Sequence, residues 1–408
     1  MPEIHLHVGL PKTGTSTIQG ALDARVDVLR AAGVLYPGSR HRAHRVATYD
    51  LLGQRVRGDD ADVVPGAFRR LAAEVRAYDG PRVLISDEEL GLARPRHVRK
   101  VVRLLGADGP DGVYVVVGVR DLARTVVSAW QQNVMTGSTT SWAEFIAAVR
   151  DRGRAGPAVP DAAAFWLRHD VLRVLDTWGT VIPPDRIRLV TVPPPGTDPR
   201  CLLDRFGAAT GLPADLWDGP APRRLNVSLG AAEVEVVRRL NAVAGPLLNQ
   251  EQHRFVVEQG LRPRLAVARP RPLRLPVADR GWARDRAEQL VEELRRRGVQ
   301  VFGDLADLVP VERAVEDQPF DQVTEAELLE AAEAALAALA VGHGRLFRRF
   351  RREFREREGR LPSAQEVVGS SLRAASFGVQ KAALRGAGRN RLLARAARLY
   401  VDRTTRHR

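Results

Sequence analysis

Cysteine is almost missing from this chain. Its 408 residues hold a single thiol, at Cys201, which excludes an intrachain disulfide and any metal site built from cysteines. Lysine is nearly as scarce: only Lys12, Lys100 and Lys381 occur. Arginine therefore carries almost all the positive charge, a usage that fits a GC-rich genome. No apolar run reaches the ~20 residues a membrane-spanning helix needs, and the first strand pattern begins almost at Met1 with no signal peptide before it. The expected location is cytoplasmic, at most peripheral to a membrane. His5, His7, His41 and His44 make the one conceivable metal cluster. His5 and His7 share a strand face and are expected to serve packing, so no metal is expected.

The formal charge of +14 would suggest nucleic acid if it were spread over the chain. It is not. Residues 341–408 hold 18 Lys/Arg and 5 Asp/Glu, while the other 340 residues hold 45 and 44. A nucleic-acid role is thus not expected for the body of the protein. The basic C-terminal helices are left as a contact for an anionic membrane surface or a polyanion. At 44% hydrophobic residues, the length suffices for one full α/β core with an appendage.

His7-Val8-Gly9-Leu10-Pro11-Lys12-Thr13-Gly14-Thr15-Ser16-Thr17 carries the strongest functional signal. Ile4, Leu6 and Val8 alternate as in a strand, and Ile18, Leu22, Val26 and Leu29 recur at helical spacing. At a strand-to-helix junction the first helical N–H groups lack internal partners and meet the positive helix end, which makes an anion site. Gly9 and Gly14 permit the turn, and Thr15, Ser16 and Thr17 add hydroxyls. In a kinase or ATPase loop a lysine follows the second glycine directly. Thr15 stands there instead, and Lys12 lies inside the loop, where its ammonium can meet a bridging oxygen that gains charge as a terminal group leaves.

A second signal is the buried-strand run Val113-Tyr114-Val115-Val116-Val117-Gly118-Val119, which ends in Arg120-Asp121. Thr125, Ser128 and Gln132 follow along one side of a helix. Arg120 at the strand end and Ser128 two turns into the helix can converge on one phosphate. By itself the pair also suits a salt-bridged structural arginine.

Together the two motifs resemble the sulfotransferases that use 3′-phosphoadenosine 5′-phosphosulfate (PAPS), most closely bacterial members with a K-T-G-T-[ST] start and the segment read here from Arg120 to Gln132. The resemblance spans roughly residues 1–310, with specificity only in the two motifs. It implies that Pro11, Lys12, Thr13, Gly14, Thr15, Ser16 and Thr17 surround the 5′-phosphosulfate, that Arg120 and Ser128 hold the 3′-phosphate, and that no metal takes part. It also implies a base after the next strand, Arg82 to Ser86. Ser86-Asp87-Glu88-Glu89-Leu90 resembles the S-S-E-E-L of relatives, which points to Glu88 first and Asp87 second, with His7 and His44 lower. The alternative is that Glu88 and Glu89 simply favour a helix N-terminus. Arg223, Arg224 and Asn226 are further candidates for the 3′-phosphate, and Ser228 for capping the next helix.

The expected fold is α/β, a parallel central sheet flanked by helices in three P-loop-like layers. A catalytic domain over residues 1–315 is followed by a helical extension over 316–408. Ile187 to Val192 reads as another strand, Phe165 to Trp178 as a helix, and Gly33 to Gly58 as a loop with short helices that shapes an acceptor pocket. Val299 to Leu305 resembles the segment that closes the domain. In the extension Thr324-Glu325-Ala326-Glu327 is a capping box before an alanine-rich helix. Gly342 and Gly344 are expected to break it, leaving a second, basic helix whose Phe347, Phe350 and Phe354 share one face. That face is expected to pack on the catalytic domain, with membrane or polyanion contact as the alternative. The functional expectation is transfer of a sulfuryl group from PAPS to a small-molecule, carbohydrate or lipid hydroxyl, or an amine. A P-loop kinase or other NTPase, and an inactive transferase fold that only binds, are the rivals.

Overall fold

The computed structural model describes residues 2–38, 42–54, 62–106, 109–151, 159–218, 229–265, 271–311 and 322–363. Six strands form one sheet: β1 (Glu3–His7), β2 (Val34–Leu35), β3 (Arg82–Ser86), β4 (Val113–Val119), β5 (Ile187–Thr191) and β6 (Gln300–Phe302). The first helices are α1 (Thr15–Asp23), α2 (Val26–Ala31), α3 (Ala43–Leu52), α4 (Ala67–Arg76), α5 (Pro95–Leu105) and α6 (Leu122–Met135). Then come α7 (Trp142–Arg150), α8 (Pro160–His169), α9 (Val171–Gly179), α10 (Arg200–Thr210) and α11 (Ala231–Ala244). The last are α12 (Gln250–Arg254), α13 (Arg262–Leu265), α14 (Val277–Arg297) and α15 (Glu325–Glu358).

Every strand pair is parallel, in the order β2-β3-β1-β4-β5-β6. Side chains alternate along each strand, so both sheet faces are apolar. Ile4, Leu6, Val83, Ile85, Val115 and Val117 join one core with residues of α4, α5, α9 and α14. Leu84, Val116 and Val190 join the other, with α1, α2 and α10. These are the three layers of an α/β fold. The chain leaves β1 toward β2 and leaves β4 toward β5, in opposite directions. The crevice between β1 and β4 is therefore the switch point where such sheets bind ligands.

The chain divides into two compact units with interleaved segments. One comprises Met1–Trp130, Trp142–Val227 and Arg274–Pro319, and holds the sheet; the other comprises Gln131–Ser141, Ser228–Leu273 and Phe320–Arg408. In the second, Asn241 of α11 is buried and donates to the Val134 and Ser138 carbonyls at 2.7 and 2.8 Å. The π-helical turn Phe255–Leu261 follows α12 there.

Several elements differ from the sequence reading. The helix expected through Leu29 breaks between α1 and α2, where the Arg25 side chain reaches back to the Ala21 carbonyl at 3.4 Å. The segment from Phe165 to Trp178 is two helices, because Asp170 turns out of the first and caps the second by accepting from the Arg173 amide at 3.1 Å. The helix after Arg223 has Gly230 at its N-cap rather than Ser228. Thr324 and Glu327 do form the reciprocal capping box, yet α15 runs unbroken through Gly342 and Gly344. Each glycine costs a helix only about 1 kcal/mol, and the good helix formers on both sides outweigh that. The phenylalanine face is not buried: Phe347 is exposed, and Phe350 and Phe354 are half-buried.

Candidate functional site

The loop after β1 is held from both sides. The Val8 amide donates to the Val116 carbonyl at 3.0 Å and the Leu10 amide to Gly118 at 2.9 Å, so the β1–β4 ladder continues into the loop. Gly9 has a φ of 103°, and a Cβ there would lie 3.1 Å from the Glu88 Cα and carbonyl oxygen. Only glycine fits that approach. Lys12 itself is left-handed at φ 65°, and Gly14, at 83°, is the N-cap of α1. Because Gly14 has no side chain to cap with, the first-turn amides of α1 face the loop. The Thr13 and Thr15 hydroxyls turn inward and donate to the Leu10 carbonyl at 2.6 and 3.5 Å. They brace the loop, whereas Ser16 and Thr17 are exposed.

Arg120 directly follows β4 beside this loop. Its Nη1 donates to the Lys12 carbonyl at 3.2 Å and reaches the Ser128 hydroxyl at 3.5 Å. The two motifs thus meet at one point, although Lys12 and Arg120 are 108 residues apart. Among the described residues the buried Arg120 Nε has no hydrogen-bond partner. Burial, with Arg124 nearby, lowers the guanidinium to about 10, so it stays charged at neutral pH. A buried charged donor without a partner is costly unless an anion completes it.

Glu88 and Asp87 lie next to the loop, but neither carboxylate stands alone. Arg45 of α3 forks between them, Nε to Asp87 Oδ2 and Nη2 to Glu88 Oε1, both at 2.6 Å. Asp87 also accepts from the Glu89 amide at 2.8 Å. Burial raises Asp87 to about 6, against the pull of Arg45. Arg223, Arg224 and Asn226 lie outside the described residues, as do Ser228 and His41.

Three residues here escaped the sequence reading. Arg45 sat in a stretch read as a loop with short helices, 42 positions from Asp87, with no local signal to join them. Arg168 pairs with buried Glu89 at 2.7 Å. His169 lines a cavity of about 320 Å³ together with Leu10, Thr13, Arg120, Trp166 and Leu290. Burial, then the charges of Arg168 and Lys12, push His169 down to about 3, and its Nδ1 has no partner among the described residues. The cavity wall is mixed: Leu122, Val171 and Leu308 add apolar surface, and Asp170, Arg286 and Glu293 join Arg120 and His169 as polar and charged groups.

Beneath the loop lies a buried polar network. Ser86 N–H donates to His44 Nδ1 at 3.2 Å, so His44 carries its proton on Nε2, which donates to the Pro37 carbonyl at 2.8 Å. His7 Nδ1 meets the Ser86 hydroxyl at 2.8 Å, and Gln19 donates to the Ser86 carbonyl at 2.9 Å. Among the described residues no His/Cys/Asp/Glu group suits a metal ion.

This network makes the fold acid-sensitive. Burial lowers His7 and His44 to about 4, so both are neutral when folded and take up protons near pH 6.5 when unfolded. Their stabilisation is full above pH 6.5 and is lost as pH falls toward 4, by on the order of 3 kcal/mol each. Asp87 acts oppositely, since a raised carboxylate contributes stability present at low pH and lost as pH rises through about 6. Two histidines outweigh one carboxylate. The melting temperature is expected to be flat above pH 7 and to fall between pH 6.5 and 4, with His44→Gln flattening the slope. A melt independent of pH across that range would contradict the neutral network.

No family model, no curated protein and no solved structure matches this chain.

Proposed function

We propose that this protein is a sulfotransferase that takes a sulfuryl group from PAPS and delivers it to a hydroxyl or amine. The observation that carries the reading is the Arg120 guanidinium, 3.2 Å from the Lys12 carbonyl and 3.5 Å from the Ser128 hydroxyl, with its Nε unpaired. A lysine loop and an Arg–Ser pair together suit a ligand with phosphate groups at two places. The residues fit the donor: Arg120 and Ser128 would hold its 3′-phosphate, and Lys12 with the α1 amides its 5′ end. The donor supplies the sulfuryl group. As the acceptor oxygen bonds to sulfur and the bond to the phosphate oxygen breaks, Lys12 counters the charge growing on that oxygen.

Glu88 is the proposed proton acceptor and Asp87 its alternate. The Arg45 fork holds both carboxylates oriented and occupied, so the base acts only if acceptor binding loosens that pair. Glu88→Gln is expected to cut transfer roughly 10²–10⁴-fold with donor-product affinity unchanged. If Asp87→Asn is inactive and Glu88→Gln is not, Asp87 is the base. The kinase reading is disfavoured by Thr15 in the slot where such loops carry lysine. Titration calorimetry tests the proposal: adenosine 3′,5′-bisphosphate should bind without metal and ATP weakly, whereas magnesium-dependent ATP binding with no response to the bisphosphate would sink it.

A further inference from the structure

Helix α15 presents two stripes. Ala331, Ala335 and Ala338 on its inner side are buried where the helix packs on α11, α13 and the π-helical turn. Among the described residues the opposite side is uncovered. Leu329 and Leu336 are 61% and 66% exposed and Phe347 37%, while Phe350 and Phe354 pack on each other, rings 5.8 Å apart, with the Arg360 guanidinium over Phe354. With Glu333, Ala340 and His343 between them, these residues recur at alternating steps of four and three. That is the 3.5-residue repeat of a coiled-coil seam, not the broader stripe of a helix lying on a globular core.

The charges along α15 are divided as well. Residues 325–340 contain four Glu and no Lys/Arg, and residues 341–358 seven Arg against three Glu. We infer that α15 pairs antiparallel with α15 of a second copy of this chain, making a two-fold dimer through the Leu/Phe seam.

An antiparallel register sets Leu336 against Phe347 of the second copy and Leu329 against its Phe354. Each layer then joins a smaller side chain to a larger one. The same register sets Glu330 against Arg351, and the two-fold axis repeats every pair. A parallel pair would stack phenylalanine on phenylalanine, glutamate against glutamate and arginine against arginine. An anionic bilayer would take the phenylalanines and arginines but repel the acidic half that carries Leu329 and Leu336. Only a second copy uses the whole stripe. Glu333 and His343 are polar positions in the seam, which weaken a dimer while fixing its register.

Sedimentation velocity of the full chain tests the pairing. The protein should be a dimer at micromolar concentration. Glu330→Arg and Arg351→Glu should each raise the dimer Kd roughly tenfold, and the double variant should restore it. In a Cys201→Ser background, Leu336→Cys with Phe347→Cys should cross-link copies on oxidation, while neither alone should. In this register two copies of residue 336 lie about 16 Å apart along the axis, far beyond disulfide reach. Cross-linking by Leu336→Cys alone would mean a parallel pair and overturn the arrangement. A monomer at about 100 µM, or a dimer indifferent to both charge reversals, would overturn the inference. A monomer that sediments with phosphatidylserine vesicles or is retained by heparin would assign the stripe to those partners instead. The four positions on α15 are exposed, so an unchanged melting temperature reports that the fold survives.

Discussion

Lys12→Ala is expected to lower turnover by roughly 10²–10³-fold while leaving bisphosphate affinity within a few-fold of wild type. The asymmetry follows from where the lysine sits. In the proposed reaction the first-turn amides of α1 and the Arg120–Ser128 pair would hold the ground-state phosphates without it. Its charge is needed most when negative charge concentrates on the leaving oxygen. Lys12 is left-handed in a loop pinned to β4 at Leu10, so alanine at this position keeps the loop path. Single-turnover rates and calorimetry on the same variant separate the two quantities. A variant with unchanged single-turnover rate and weakened bisphosphate binding would strip Lys12 of its catalytic role.

Arg120→Ala is expected to act in the opposite sense, weakening the bisphosphate by about 10–100-fold, the 1–3 kcal/mol of a buried charged partner left unpaired. AMP, which lacks the 3′-phosphate, should change far less. Because Arg120 also donates to the Lys12 carbonyl, a uniform loss for both nucleotides would mean that it only braces the loop. Ser128→Ala should follow the same nucleotide selectivity at smaller size. Equal affinity of the wild-type protein for AMP and the bisphosphate would remove the 3′-phosphate assignment altogether.

Much of this was legible in the chain as letters. Alternation at Ile4, Leu6 and Val8, the run from Val113, and the glycines at 9 and 14 marked two strands and a tight strand-to-helix loop, because side-chain period and left-handed turns are local properties. Ser128 lies in the second turn of the helix that begins two residues after Arg120, so their convergence was also local. The box at Thr324 and Glu327 was read correctly for the same reason. Where the local reading failed, a tertiary or capping term outweighed propensity. Asp170 broke a continuous periodic pattern by capping, and α15 tolerated two glycines that composition alone marked as a break.

By itself the sequence determined the strand-loop-helix units, the lysine inside the loop and the concentration of charge near the C-terminus. Each is a relation between residues a few positions apart or a sum over them. Only the tertiary structure decided that β1 and β4 are neighbours at the switch point, so that Arg120 reaches the Lys12 carbonyl across 108 residues. It alone put Arg45 between Asp87 and Glu88 and His169 in the cavity wall beside Thr13. It also chose which face of α15 is covered. Those contacts depend on strand order and layer packing, which no short window of sequence encodes: the same local patterns would be satisfied by other orders of the same strands.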